Sequence, residues 1–281
     1  MTTTAFLDVP GARLRYQIRG SGPLLLLMGS PMEAAAFAPL ADALAGDYTV
    51  VTHDPRGVAG STLADIEQDS TPELRAADVL AILDVSGADS ADVFGSSGGA
   101  VTGLALAERH PDRVRTLLAH EPPLLELLPD AARRRAEVDD MIETFRREGS
   151  LSAWRKFMIS AGFDPGDHDD GAGAAPAPDG SAEQEAQAAR FFDHELRGTT
   201  RFLPNISRLT AGPARVLVGI GADSAGLTTY PTSTALADLL GSPPLVFPGD
   251  HGGFLAEPAA FAHVLVRALA SSMTTVGSDV R

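Results

Sequence analysis

The chain of 281 residues has no cysteine, one lysine (Lys156) and one tryptophan (Trp154). Without cysteine there can be no disulfide, no thiolate metal site and no thiol nucleophile. Positive charge is also scarce: 22 basic residues stand against 37 acidic ones, a net charge of −15 spread along the chain. That balance argues against nucleic acid or an anionic membrane surface as a partner. The lone lysine lies in no glycine-rich phosphate loop, and no dinucleotide fingerprint follows the first strand. The apolar run at 24–28 is far too short to span a bilayer. The N-terminus shows no basic segment followed by an apolar one. The expectation is a cytoplasmic protein, monomer or homodimer, acting on a small molecule without metal or organic cofactor.

What is present is a regular alternation of strand-like and helix-like segments, with 44% apolar residues to build a core. Residues 6–9 and 14–18 read as a hairpin around Pro10-Gly11. The run at 23–28 reads as a strand buried on both faces. Further strands are expected at 48–52, 91–94, 114–119, 215–220 and 245–247, with helices at 37–45, 72–84, 100–108, 232–240 and 258–269. Thr71 is placed to cap the second helix, with Pro72 at its first position. Such units imply a mostly parallel, eight-stranded α/β sheet with helices on both faces. The alternation breaks at 129–204, which is helical and loop-like. It is expected to be an inserted helical lid following the sixth strand, between core segments 1–128 and 205–281. Residues 164–181, rich in Gly, Ala, Pro and Asp, are expected to be mobile.

The segment Gly95-Ser96-Ser97-Gly98-Gly99 reads G-x-S-x-G, with a strand before it and a helix after it. In that context the serine sits on a tight turn with its hydroxyl above the sheet, and glycines two positions away on either side avoid collision. A serine nucleophile needs a base, an acid to orient the base, and N–H donors for the oxyanion. His251, in a glycine-flanked loop after the last strand, is the candidate base. Asp223, on the loop after the preceding strand, is the preferred acid; Glu121, at the end of the strand after the elbow, is the second candidate. Gly98 and Ser30 are placed to supply the oxyanion N–H groups.

Two further segments complete a resemblance. Thr52-His53-Asp54-Pro55-Arg56-Gly57-Val58-Ala59-Gly60-Ser61 is similar to D-x-R-G-x-G-x-S, and Arg109-His110-Pro111-Asp112-Arg113-Val114 to R-x-P-x-R-V. Together with the elbow they resemble the α/β-hydrolase fold family, in particular its lidded bacterial esterases, lactonases, epoxide hydrolases and cofactor-free haloperoxidases. The chain departs from that pattern at Met28-Gly29, where His-Gly is usual, and at Ala59, where a second glycine is usual. A serine in place of an aspartate nucleophile argues against dehalogenase or epoxide hydrolase chemistry. The resemblance implies hydrolysis of a carboxylic ester or lactone through an acyl-enzyme on Ser97. Perhydrolysis or thioester cleavage by the same residues is an alternative, and a non-hydrolytic ligand-binding protein is one of another class. Met32, Leu124, Trp154, Phe157, Met158, Phe191, His194 and Phe202 are the candidate pocket residues. Asp193, His194 and Glu195 are spread around a helix and make no metal site.

Overall fold

The computed structural model describes residues 2–163 and 181–270. The segment expected to be mobile falls almost entirely outside the described residues. Nine strands form one sheet: β1 (Thr2–Val9), β2 (Ala12–Gly20), β3 (Leu24–Met28), β4 (Thr49–His53), β5 (Thr62–Leu63), β6 (Ala91–Ser96), β7 (Val114–His120), β8 (Arg215–Gly221) and β9 (Leu245–Phe247). Their order is β1-β2-β4-β3-β6-β7-β8-β9, with β5 paired to β2. β1 and β2 pair antiparallel around the Gly11 turn, as does β2 with β4; from β4 to β9 all pairings are parallel. The ninth strand is β5, whose two residues are too few to carry a periodic signal in the sequence. The helical insertion therefore follows the seventh strand and not the sixth.

The helices are α1 (Ala38–Leu44), α2 (Pro72–Val85), α3 (Gly98–Arg109), α4 (Ala131–Glu148), α5 (Ser150–Ala161), α6 (Ala182–His194), α7 (Leu196–Thr200), α8 (Ile206–Ala211), α9 (Thr229–Leu240), α10 (Gly253–Ala256) and α11 (Pro258–Ala270). The α2 start is as the sequence implies, with Thr71 Oγ1 accepting from Leu74 N at 3.2 Å ahead of Pro72. No helix among the described residues is long and apolar enough to cross a membrane.

Strand alternation divides the core in two. Leu24, Leu26 and Met28 of β3 face a cluster shared with α2, α3, α8 and α9, while Leu25 and Leu27 join one shared with α1, α10 and α11. Successive side chains of a strand point to opposite faces, so an unbroken apolar run is what a doubly covered strand requires. A third cluster, built on Val138, Met141, Ile142, Phe191 and Phe192, belongs to the insertion and gives α4 to α7 a core of their own. All parallel strands end on the same edge of the sheet, and the exits of β3, β6, β7 and β8, with the loop after β9, supply the candidate site.

Candidate active site

Ser97 stands between β6 and α3 at φ 55°, ψ −124°, a left-handed conformation that costs a non-glycine residue on the order of 1–3 kcal/mol. Its neighbours explain why the turn is made of glycine. A Cβ on Gly95 would lie 2.5 Å from Gly99 O, and one on Gly99 would lie 2.3 Å from Met28 O. The backbone is locked by Ser97 N donating to His120 O at 2.9 Å and Ala100 N donating to Ser97 O at 2.9 Å. Within 91–100 every residue but Ser97 is buried, so the turn lifts this one side chain out of the core. The first turn of α3 directs its unpaired N–H groups at the same place.

The carboxylate against His251 is Glu121, not Asp223. His251 Nδ1 lies 2.6 Å from Glu121 Oε2. Glu121 follows the last residue of β7 at φ 50°, and its side chain reaches beneath the exit of the neighbouring strand β8. There Gly221 N donates to Oε1 at 2.8 Å, and Thr229 Oγ1 donates to Oε2 at 2.8 Å. The β8 exit thus presents a backbone N–H to the incoming carboxylate. Asp223 lies two residues further on, solvent-exposed, with its own N donating to Gly249 O at 3.0 Å. The geometry therefore overturns Asp223 as the partner of His251 and installs the second candidate.

Burial pushes the Glu121 carboxyl pKa up, but the hydrogen bond and charge of His251, with smaller help from His120 and Ser224, outweigh this and hold it down at about 2. Glu121 is thus a carboxylate across the whole neutral range. With Nδ1 engaged, Nε2 is the nitrogen His251 keeps for the cavity it lines. Beneath it His120 is stacked at 6.2 Å between ring centroids, boxed by Phe94, Phe247, Phe254 and Phe261. Burial lowers the His120 pKa to about 4, so that ring is neutral, with Nδ1 3.2 Å from Ser96 Oγ. Ser96 thus packs under the elbow.

The D-x-R-G-like segment is a brace. Asp54 Oδ1 accepts from Ala34 N at 2.8 Å and Oδ2 pairs with Arg15 at 3.0 Å, tying the loop after β3 to β2. Arg56 makes a buried two-pronged pair with Asp78 at 2.7 and 2.5 Å. Ala59, at the position of the usual glycine, still takes the left-handed conformation, with φ 47°.

A cavity of about 380 Å³ lies between the sheet edge and the insertion, lined by Ser30, Ser97, Gly98 and His251 below. Of the candidate pocket residues, Met32, Trp154, Phe157, Met158 and Phe191 line it. Three do not. Leu124 is wholly buried in the sheet core, and Leu125 takes its place in the wall. Phe202 packs against that same core. His194 turns to Asp69, 3.1 Å away, at the C-terminal end of α6.

One residue escaped the sequence reading. Glu195, considered there only as part of a rejected metal site, is 1% exposed and lines the cavity, and the Ser30 hydroxyl donates to its Oε1. The helix breaks at Glu195 (φ −127°, ψ −47°), which swings the side chain inward. Nothing local in the sequence signals this, since its partner is 165 residues away. Among the described residues no cluster of three or more His, Asp or Glu could hold a metal ion.

The fold agrees with the comparisons to known proteins. The alpha/beta hydrolase fold family matches residues 22–152. Over 92% of the chain and 93% of the relative's length, the sequence is 34% identical to the uncharacterized hydrolase YraK of Bacillus subtilis (strain 168). The chain belongs to the alpha/beta hydrolase fold family. In structure it is similar to a thermophilic esterase from Thermogutta terrifontis (TM-score 0.73, 19% identity, 98% and 100% of the two chains). It is also similar to the enol-lactonase from Burkholderia xenovorans LB400 (TM-score 0.69, 20% identity, 95% and 100% of the two chains).

Proposed function

We propose that the protein is a serine hydrolase that cleaves a carboxylic ester or lactone of modest size through an acyl-enzyme on Ser97. The observation that carries this reading is that an elbow serine, Ser97, and a histidine whose Nδ1 is fixed by the buried Glu121 line one largely apolar cavity. In this mechanism His251 Nε2 takes the Ser97 proton as Oγ attacks the carbonyl carbon. Glu121 holds the ring in the required tautomer and stabilises the imidazolium. The N–H groups of Ser30 and Gly98 receive the oxyanion, each such donor contributing about 3 kcal/mol in comparable sites. His251 returns the proton to the leaving alcohol, then activates water to release the acid. The insertion acts as a lid, its aromatic residues covering the acyl or alcohol chain and excluding bulk water. The similarity in fold to an esterase and an enol-lactonase is consistent with this substrate class.

Incubation with a fluorophosphonate, followed by peptide mass spectrometry, tests the proposal. The expected result is one adduct on Ser97 that is lost in His251→Ala, with turnover in a panel of esters and lactones. A folded protein that takes no adduct and cleaves none of them would instead be a binding protein. Turnover confined to thioesters, or to peroxide with acetate, would transfer the same residues to another acyl acceptor or donor.

A further inference from the structure

The most unusual polar group near Ser97 has no part in the mechanism above. Glu195 enters the cavity from the junction of α6 and α7 and, of the lining carboxylates, only this one is buried. Its Oε1 is fully engaged, accepting the Ser30 hydroxyl and lying 3.9 Å from Arg75 Nη1. Arg75 is spent elsewhere: Nε donates to Thr102 Oγ1 at 2.9 Å, Nη1 to Ser70 O at 2.5 Å, and Nη2 to Thr199 Oγ1 at 2.9 Å. Glu195 Oε2 has no hydrogen-bond partner although it is buried. A buried carboxylate oxygen without a donor is costly, and holding Ser30 in place requires only Oε1.

We propose that Glu195 Oε2 is the polar anchor of the substrate cavity, and that the ester or lactone acted on carries a neutral hydroxyl or N–H donor close to its scissile carbonyl. The placement follows from Ser30. A Cβ on Gly98, the residue after Ser97, would lie 2.7 Å from Ser30 O and 3.0 Å from Ser30 Cβ, so the Ser30–Glu195 contact lies beside the reacting centre. The neutrality follows from Arg75, whose charge already answers the carboxylate and disfavours a second cation. An acceptor facing a substrate hydroxyl discriminates strongly, because the analogue lacking the hydroxyl leaves it unpaired.

This inference rests on the acyl-transfer reading but can fail separately from it. The test compares ethyl 3-hydroxybutanoate and ethyl 2-hydroxybutanoate with ethyl butanoate. It reads kcat/KM by acid release in the wild type, and Kd in Ser97→Ala from Trp154 fluorescence, Trp154 being the only tryptophan and a cavity residue. At least one hydroxy ester is expected to be favoured about tenfold or more in both measurements. In Glu195→Met, which keeps the side-chain length but removes the acceptor, that ratio falls to about one. A lid that merely needs a side chain at 195 would weaken all three esters alike and leave the ratio standing, which overturns the proposal. So does a ratio near one for both isomers in the wild type, a result that needs no variant to fold. If none of the esters is cleaved and no fluorophosphonate adduct forms on Ser97, the acyl-transfer reading fails, and the Kd ratio in the wild type still decides the role of Glu195.

Discussion

His251 Nδ1 and Glu121 Oε2 are 130 residues apart in sequence and 2.6 Å apart in space, and the same carboxylate also accepts from Gly221 N and Thr229 Oγ1. Three donors converge on two oxygens. A glutamine at 121 cannot serve all three, because its amide nitrogen must face either Gly221 N–H or the imidazole. Glu121→Gln is expected to lower kcat/KM for an ester by about a thousandfold or more, through the wrong tautomer at His251. Asp223→Ala, which alters an exposed side chain, is expected to change it by less than about threefold. Steady-state kinetics on the two purified variants checks both, and the opposite order would return Asp223 to the role.

Stability should fall with acid in two stages. His53 and His120 are fully buried and their pKa values are lowered by desolvation from 6.5 to about 4. Between those values the unfolded chain binds protons that the folded chain refuses, so stability drops as pH falls from about 6.5 to about 4. Each such group costs about 3 kcal/mol by the lower limit. Glu121 then acts in the next window. Its pKa is held down from 4.5 to about 2, so its contribution is present above about 4.5 and is lost as pH falls towards 2. Denaturant midpoints measured from pH 8 to pH 3 should show the first decline well before carboxylates titrate. His120→Gln should remove about half of that upper stage, His53 retaining the rest, and an unchanged profile would show that folding does not shift the His120 pKa.

Much of this arrangement was legible in the sequence because it is local. The elbow glycines, the Thr71-Pro72 helix start and the all-apolar β3 each follow from a few adjacent residues. The partner of His251 was harder. Glu121 and Asp223 both end a strand, and only the packing of β7 beside β8 shows that one carboxylate slides under the exit of the other strand. Cavity residues divided the same way. Leu124 and Leu125 are neighbours of equal hydrophobicity, and which one faces the cavity depends on a short turn that no periodicity describes. Glu195 was invisible for a related reason: a break in the helix at that residue decides whether it meets solvent or Ser30.

The elbow itself offers a steric test. A methyl group on Gly99 would meet Met28 O at 2.3 Å and Gly29 Cα at 2.7 Å, both backbone atoms that cannot rotate away. Gly99→Ala is expected to destabilise the protein by about 1–3 kcal/mol, as overpacking does, and to displace Ser97 enough to abolish fluorophosphonate labelling. Gly46→Ala has nothing within 4 Å of the added carbon and should leave both stability and labelling near wild type. Thermal melts and labelling rates on the pair distinguish a general intolerance of alanine from a collision at the elbow.

Phe191 and Phe192 are adjacent on α6 but serve different surfaces, since successive helix residues point about 100° apart. Phe192 is fully buried, stacked on Phe145 at 5.4 Å and edge-on to Trp154 at 4.9 Å. Phe191 stacks on Trp154 at 5.0 Å and lines the cavity. Phe192→Ala should therefore cost about 3–5 kcal/mol of stability, the usual cost of emptying a packed aromatic site, with the relative rates for short and long acyl chains preserved. Phe191→Ala should cost less, because part of the vacated space opens into the existing cavity. It should instead raise kcat/KM for a hexanoyl ester relative to an acetyl ester. Melting temperatures and a chain-length series separate the two outcomes. If both variants shifted the chain-length preference equally, the insertion would have no core distinct from the pocket wall, and its aromatic residues would form a single deformable surface.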